Sequence, residues 1–366
     1  MLNVLCIEPY YGGSHAAFAD GYRAHSRHRV ELLTMPARKW KWRMRGAALS
    51  IADALPTGRV DVILASDYLD LAALTGICPR AAAVPRAVYF HENQLTYPLA
   101  PQDERDYQYG FTNITSCLAA GRVIFNSRYH MESFLGAADG LLRAMPDCVP
   151  ERVTERIRER ATVVPVGVDL EAVDRLRSRA APREGPLRIL WNHRWEFDKA
   201  PEAFFEVMDR LDEEGRQFEL VVVGQKFRTW PEVFEHARVR HARRLRAFGY
   251  VESREQYLRL LMESDVVVST AIHEFFGVAV VEAVYAGCAP LLPNRLSYPE
   301  LLPPALHKAH LYETQRELLE RLRRWTEHPE EARALEVRSA VARFGWQNVA
   351  PGLDAVLEET SEAKRV

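Results

Sequence analysis

The segment His273-Glu274-Phe275-Phe276-Gly277-Val278, followed by Val281-Glu282-Ala283, places two carboxylates eight positions apart. A glycine lies between them, and an apolar run follows that can start a helix. On a helix rising ~1.5 Å per residue, that spacing separates the carboxylates by about 12 Å along the axis. Two acids flanking one glycosidic bond in a hydrolase need roughly 5–9.5 Å, so the spacing argues against hydrolysis. It suits contacts to opposite ends of a long ligand, with phosphate between them at the helix start. There the unpaired N–H groups and the helix dipole favour negative charge. Taken alone, one buried or capping Glu and one surface Glu would explain the segment as well.

Other segments carry chemistry of the same kind. Asn192-His193-Arg194-Trp195-Glu196-Phe197-Asp198-Lys199 follows a strand. Its two cations, Arg194 and Lys199, can neutralise a diphosphate leaving group, and such electrostatic stabilisation is often a large catalytic term. A surface salt-bridge cluster with Glu196 and Asp198 is the bland alternative. In Pro9-Tyr10-Tyr11-Gly12-Gly13-Ser14-His15, Gly12 and Gly13 let backbone approach a phosphate or sugar closely, as an ordinary tight turn would also require. The segment is neither a P-loop nor a G-x-G-x-x-G fingerprint. Tyr89-Phe90-His91-Glu92-Asn93-Gln94 closes a strand with a run of polar side chains, which makes His91 a candidate. Val223-Gly224-Gln225 and Phe248-Gly249-Tyr250-Val251 read as strand ends. No D-x-D triplet occurs, so no carboxylate-held metal on a diphosphate is expected.

Pro36-Ala37-Arg38-Lys39-Trp40-Lys41-Trp42-Arg43-Met44-Arg45 interleaves five cations with two tryptophans. Basic groups can take phosphates while indoles stack on exposed bases; a solvated basic helix with two core tryptophans is the commoner outcome. A second run from Arg238 to Arg246 carries five arginines and reads as a helix face with a weaker claim on RNA.

The elements that must position these residues alternate. Short β-prone runs at Leu2–Ile7, 60–65, Arg86–Phe90, 122–126 and 162–166 are separated by helical stretches, which predicts a parallel sheet with crossover helices. Residues 167–186 turn polar and irregular, with Pro182, Gly185 and Pro186, and mark the domain boundary. The pattern then restarts with strands at Leu187–Trp191, Phe218–Val223 and 265–270. Between the first two of these, Phe204, Val207, Met208 and Leu211 form a helical stripe. Two α/β sheets in succession imply a cleft where ligands bind at strand C-termini. At 366 residues, 48% hydrophobic and 27% charged, the chain is long enough for two such domains. A net charge of −2 gives no global pull toward nucleic acid or membrane. Five scattered cysteines without a C-x-x-C pair predict neither a disulfide framework nor a zinc site, and favour a reducing cytosol. No run approaches a membrane span, and the N-terminus lacks a signal-peptide pattern.

In order along the chain, several segments resemble retaining glycosyltransferases of the GT-B fold. Glu274 to Glu282, continued by Ala283-Val284-Tyr285-Ala286-Gly287-Cys288-Ala289-Pro290, is similar to that group's Glu-x7-Glu motif and its ending. Arg194 to Lys199 resembles Gly-Arg-x-x-x-x-Lys-Gly, with Asn192-His193 and Ala200 departing from the usual glycines. Pro165-Val166-Gly167-Val168-Asp169 and Phe344-Gly345-Trp346 resemble the entry to the interdomain linker and the approach to the final helix. The resemblance implies two Rossmann-like domains facing across a cleft: an acceptor-side domain over 1–168, a sugar-nucleotide domain over 186–337, and a helix over 338–366 returning to the first. It implies that Glu274 and His91 contact the transferred sugar and that Glu282 binds the ribose. Phe276, Gly277 and Val278 would lie against the diphosphate with Arg194 and Lys199. Gly12, Gly13, Gly224, Tyr250 and Val251 would lie elsewhere along the donor.

A narrower resemblance rests on Glu8 to His15, Pro36 to Arg43, Phe90 to Leu95 and Glu104-Arg105-Asp106-Tyr107-Gln108-Tyr109-Gly110, with His193 to Glu196 and His273 to Val278. These look like the tRNA-queuosine α-mannosyltransferase family. Membership implies transfer of mannose from GDP-mannose to queuosine at the wobble position of tRNA-Asp; the GT-B resemblance makes that transfer retaining, the missing D-x-D triplet makes it metal-independent, and the cysteine pattern places it in the cytoplasm. Arg38, Lys39, Trp40, Lys41, Trp42 and Arg43 then become RNA-contact candidates, and Asn93, Arg105 and Asp106 acceptor-side candidates; core architecture would also account for them. No obligate protein partner is legible. Two other readings keep the fold: a transferase using another nucleotide sugar with a lipid or saccharide acceptor, and an RNA-binding protein without turnover.

Overall fold

The computed structural model describes residues 1–99, 104–177, 184–226 and 230–363. The chain divides into two compact units, one of Met1–Gly167 with Trp346–Val366, the other of Val168–Gly345. Part of the irregular stretch expected to join two domains, residues 178–183, lies outside the described residues.

In the first unit, strands β1 (Asn3–Tyr11), β2 (Arg29–Pro36), β3 (Val62–Ser66), β4 (Arg86–Phe90), β5 (Arg122–Phe125) and β6 (Ala161–Val163) form one sheet. Their order is β2-β1-β3-β4-β5-β6, with parallel pairing throughout. β3 is buried at every position because helices cover both faces of a parallel sheet. The second unit holds β7 (Leu187–Trp191), β8 (Phe218–Val223), β9 (Leu245–Gly249), β10 (Val266–Val268), β11 (Ala289–Pro293) and β12 (Leu311–Tyr312). These run in the order β12-β11-β10-β7-β8-β9, again parallel. Each sheet has its own core. One is built on Leu5, Ile7, Ile63, Val88, Phe90 and Phe134, the other on Trp191, Trp195, Phe204, Phe234, Leu220 and Val268.

Strand order dictates where ligands can bind. In open α/β sheets the crevice opens beyond the strand C-termini, where the order reverses. In the first unit that point lies between β1 and β3, so the Gly12-Gly13 turn and the segment after β3 meet there. In the second it lies between β7 and β10, beneath Asn192–Lys199 and Ser269–Glu274.

The helix Trp346–Glu362 packs on the first unit. Asp354, almost fully buried, accepts hydrogen bonds from Tyr22 Oη (2.8 Å), Ser26 Oγ (2.6 Å) and the Arg27 amide (3.0 Å). Trp346 lies against Phe18 and fills the space that side chains at Gly21 and Gly167 would need, since a Cβ at either position would sit within 2.3 Å of its indole.

The arginine run from 238 to 246 is not one helix face. Helix Val233–Arg240 ends before its midpoint, and Arg246 lies in β9. Four of its five arginines meet acids: Arg238 meets Glu235, Arg240 meets Asp209 and Glu213, Arg244 meets Asp212, and Arg246 meets Glu219.

Candidate active site

The segment leaving β7 folds against the segment leaving β10. Beyond a short 3-10 turn at Phe197–Lys199, Ala200 takes a left-handed backbone (φ 45°) that L-residues adopt at a cost of about 1–2 kcal/mol. Thr270 Oγ1 offsets that cost by donating to the carbonyls of Lys199 (3.0 Å) and Ala200 (2.9 Å). The buried Lys199 ammonium lies 3.0 Å from Asp198, 2.7 Å from the His273 carbonyl and 3.3 Å from Glu274 Oε2. Burial pushes the Glu274 carboxyl up, but Lys199, then His193, His273 and Arg194, outweigh it and hold it at about 2. His193 and His273 are pushed down to about 4, by burial first and Lys199 second. Across neutral pH the cluster therefore presents an ionised carboxylate beside two neutral imidazoles. His193 Nε2 is buried without a hydrogen-bond partner.

Glu274 is not on the helix that carries Glu282. Gly277, at φ 104°, breaks the chain, and the helix runs Val278–Ala286. The axial separation of about 12 Å expected for a continuous helix therefore does not apply: Glu274 lies in the loop before the helix. The first turn carries no acid and no side-chain cap, so its leading N–H groups stay available to an anion. Glu282 receives Arg254 Nη2 on one carboxylate oxygen and Tyr257 Oη on the other (3.3 Å). Asn192 Nδ2 reaches Tyr257 Oη (3.0 Å) and the Ala279 carbonyl (2.8 Å). Arg254, Tyr257 and Asn192 thus set the Glu282 carboxylate, and none was among the expected site residues. Ser253 caps their helix by accepting from the Gln256 amide. That cap places Arg254 and Tyr257 three apart on one face, the only sequence signal for them.

Arg194 pairs with Glu196 (3.1 Å) and keeps 41% side-chain exposure, enough to swing to a ligand. Gly224 approaches the β7 segment so closely that a Cβ there would lie 1.8 Å from the His193 carbonyl oxygen. Tyr250, 62% exposed, and Val251 line a depression of about 610 Å³ together with Phe248, Glu252, Gln256 and Arg259.

In the first unit, Gly12 precedes helix Gly13–His25, and a Cβ at Gly12 would meet Ala37 at 2.6 Å. Glu8 Oε2 lies 3.0 Å from His15 Nδ1, and the His15 and His91 rings pack at 4.3 Å. Burial lowers His15, but the charge and hydrogen bond of Glu8, helped by Asp67 and Glu92, raise it to about 9. His91 is pushed well down by burial, then by His15 and His130.

Residues 3–168 match the family described as tRNA-queuosine alpha-mannosyltransferase N-terminal, and residues 173–340 match the glycosyl transferases group 1 family. A tRNA-queuosine alpha-mannosyltransferase of Drosophila melanogaster is 39% identical over 329 residues, which cover 87% of this chain and 86% of that protein. The chain belongs to the tRNA-queuosine alpha-mannosyltransferase family. It is a glycosyltransferase. Solved structures place its fold in the GT-B class. Sucrose-phosphate synthase from Thermosynechococcus elongatus superposes with a TM-score of 0.71 at 14% identity, over 99% of this chain and 100% of that one. The catalytic domain of starch synthase IV from Arabidopsis thaliana gives 0.69 at 11% identity, over 99% of each chain.

The family's basic segment forms the start of helix Trp40–Ala54, entered through a left-handed Lys39 (φ 52°). Trp42 is 61% exposed, and Arg38, Lys39 and Lys41 are also exposed. Trp40 instead packs on Tyr68 and Tyr109. Only one of the two tryptophans is therefore inward; the other lies over Gly46 with most of its surface exposed. The expected acceptor-side residues are committed to architecture. Asn93 is fully buried and accepts from the Leu95 and Thr96 amides, both at 3.0 Å. Arg105 donates to the Gln94 and Tyr97 carbonyls, and Asp106 caps helix Tyr107–Ala119. They shape the loop after His91 from behind.

Proposed function

We propose that this glycosyltransferase moves mannose from GDP-mannose to queuosine in tRNA, with retention of anomeric configuration, in the cytoplasm. The observation that carries the reading is the ionised Glu274 beside Lys199 at the switch point of a sheet in a chain of this family. The relative's name supplies mannose and tRNA-queuosine; the exposed Arg38, Lys39, Lys41 and Trp42 supply groups able to hold an RNA backbone and stack on a base. On the donor, Glu282 takes the ribose hydroxyls, exchanging part of its contact with Arg254. Phe276, Gly277 and Val278 carry the diphosphate at the helix start, and Arg194 and Lys199 balance its charge without a bridging metal. GDP is then expected to bind with equal affinity in EDTA and in magnesium, as measured by calorimetry. A large magnesium dependence would overturn the metal-free donor site.

The experiment for the whole reading is incubation with radiolabelled GDP-mannose and total tRNA from cells able or unable to make queuosine. Label confined to queuosine-containing tRNA is the expected result. No label in either, with GDP-mannose left intact, would refute it and favour another donor or acceptor. For the basic helix, Arg38→Ala with Lys41→Ala is expected to weaken tRNA binding roughly tenfold in a filter assay and to flatten its salt dependence. Unchanged affinity would remove that helix from the RNA surface.

A further inference from the structure

We propose that Glu8, His15 and His91 bind a divalent transition-metal ion of the zinc class in the first unit. One carboxylate oxygen and one nitrogen from each imidazole lie within 4.8 Å of one another. A tetrahedral ion with bonds of about 2.0–2.2 Å holds its ligand atoms roughly 3.5 Å apart, so a small rotation of the His91 ring closes the set. Two imidazoles with one carboxylate select ions of this class over magnesium or calcium, which prefer oxygen.

The surroundings are built as ligand supports. The second oxygen of Glu8 accepts from the Tyr10 amide (2.8 Å) and Ser66 Oγ (3.0 Å), which fixes the carboxylate's orientation. The His91 amide donates to Asp67 Oδ1 (2.9 Å) and its carbonyl accepts from Asn126 Nδ2 (2.9 Å), pinning the end of β4. Phe18 and Tyr89 pack on the His91 ring, and Tyr68 on His15, forming an apolar wall. Among the described residues, no Lys or Arg pairs with Glu8, Asp67 or Glu92, so the acids here are balanced by histidine alone. The three ligands come from the end of β1, the first turn of helix Gly13–His25 and the residue after β4. An ion would tie these segments together and keep one coordination position open for a water or a substrate oxygen. The proposal stands apart from mannosyl transfer, because metal binding is measured with neither donor nor tRNA present.

The test uses the full chain, stripped with a chelator and titrated with zinc chloride by calorimetry; cobalt(II) provides a visible spectrum of the bound ion. One equivalent is expected, with a Kd below about 1 µM, a raised melting temperature and cobalt bands of tetrahedral intensity. Glu8→Gln and His91→Ala should each weaken uptake at least about 100-fold. The exposed His236→Ala should leave it unchanged. Circular dichroism establishes that each variant folds, and His91→Gln replaces His91→Ala if the latter does not. Absence of uptake by the wild type, or wild-type uptake by both folded ligand variants, overturns the proposal and leaves Glu8 and His15 as a proton-sharing pair.

Discussion

Glu274→Ala is expected to lower the transfer rate by about a hundred- to a thousandfold, a loss typical of removing a group that stabilises charge in the transition state. The carboxylate is ionised across neutral pH, because Lys199 and its neighbours hold it at about 2. The substitution takes away the carboxylate that the loop before helix Val278–Ala286 sets against Lys199. Stability should change much less. Lys199 keeps its 3.0 Å pairing with Asp198 and its 2.7 Å bond to the His273 carbonyl. Glu274→Gln, which keeps the shape without the charge, should lose nearly as much in kcat with little change in KM. Either variant retaining more than about a tenth of the wild-type rate would deny Glu274 its role.

Gly224→Ala should be the most damaging single methyl group in the second unit. Its Cβ would sit 1.8 Å from a backbone oxygen, that of His193, which no side-chain rotation can relieve. The β7 and β8 ends would have to separate, breaking the contact between Trp195 N and the Gln225 carbonyl (3.0 Å) and lifting Arg194 away. Overpacking usually costs about 1–3 kcal/mol; a backbone collision belongs at or above the top of that range. Urea unfolding should show a lower midpoint with an unchanged slope, and GDP binding should fall in parallel. Wild-type values for both would mean that the approach is softer than the structure indicates.

These two sites differ in how legible they were. Spacing drew attention to Glu274 and Glu282 but only the family resemblance gave them roles, whereas strands β4, β7 and β8 could be read directly and occur with the bounds their apolar runs indicated. The geometry between the two acids could not, because Gly277 in the left-handed region interrupts the helix that the spacing suggested. β2 escaped notice because Arg29, Glu31 and Thr34 interrupt the apolar residues of an edge strand. β9 was hidden in an arginine run whose charges are neutralised by acids far away in sequence, Asp212 and Glu219. Arg254 and Tyr257 reach Glu282 only across the fold. Asn93 became an acceptor-side candidate through the family resemblance. Its amide is consumed by its own turn, which composition cannot distinguish from a site.

The bonds from Asp354 to Tyr22, Ser26 and Arg27 join residues more than 300 positions apart. On the ribosome, the first unit is complete up to Gly167 long before Trp346 and Asp354 exist. At 5–20 residues per second, it waits roughly ten to forty seconds with Tyr22 and Phe18 uncovered. At the end of that wait the second unit, complete at Gly345, has everything it needs and can fold before the last helix is made. Birth order is thus the reverse of completion order. A truncation that removes only the last helix should harm the half of the protein made earliest.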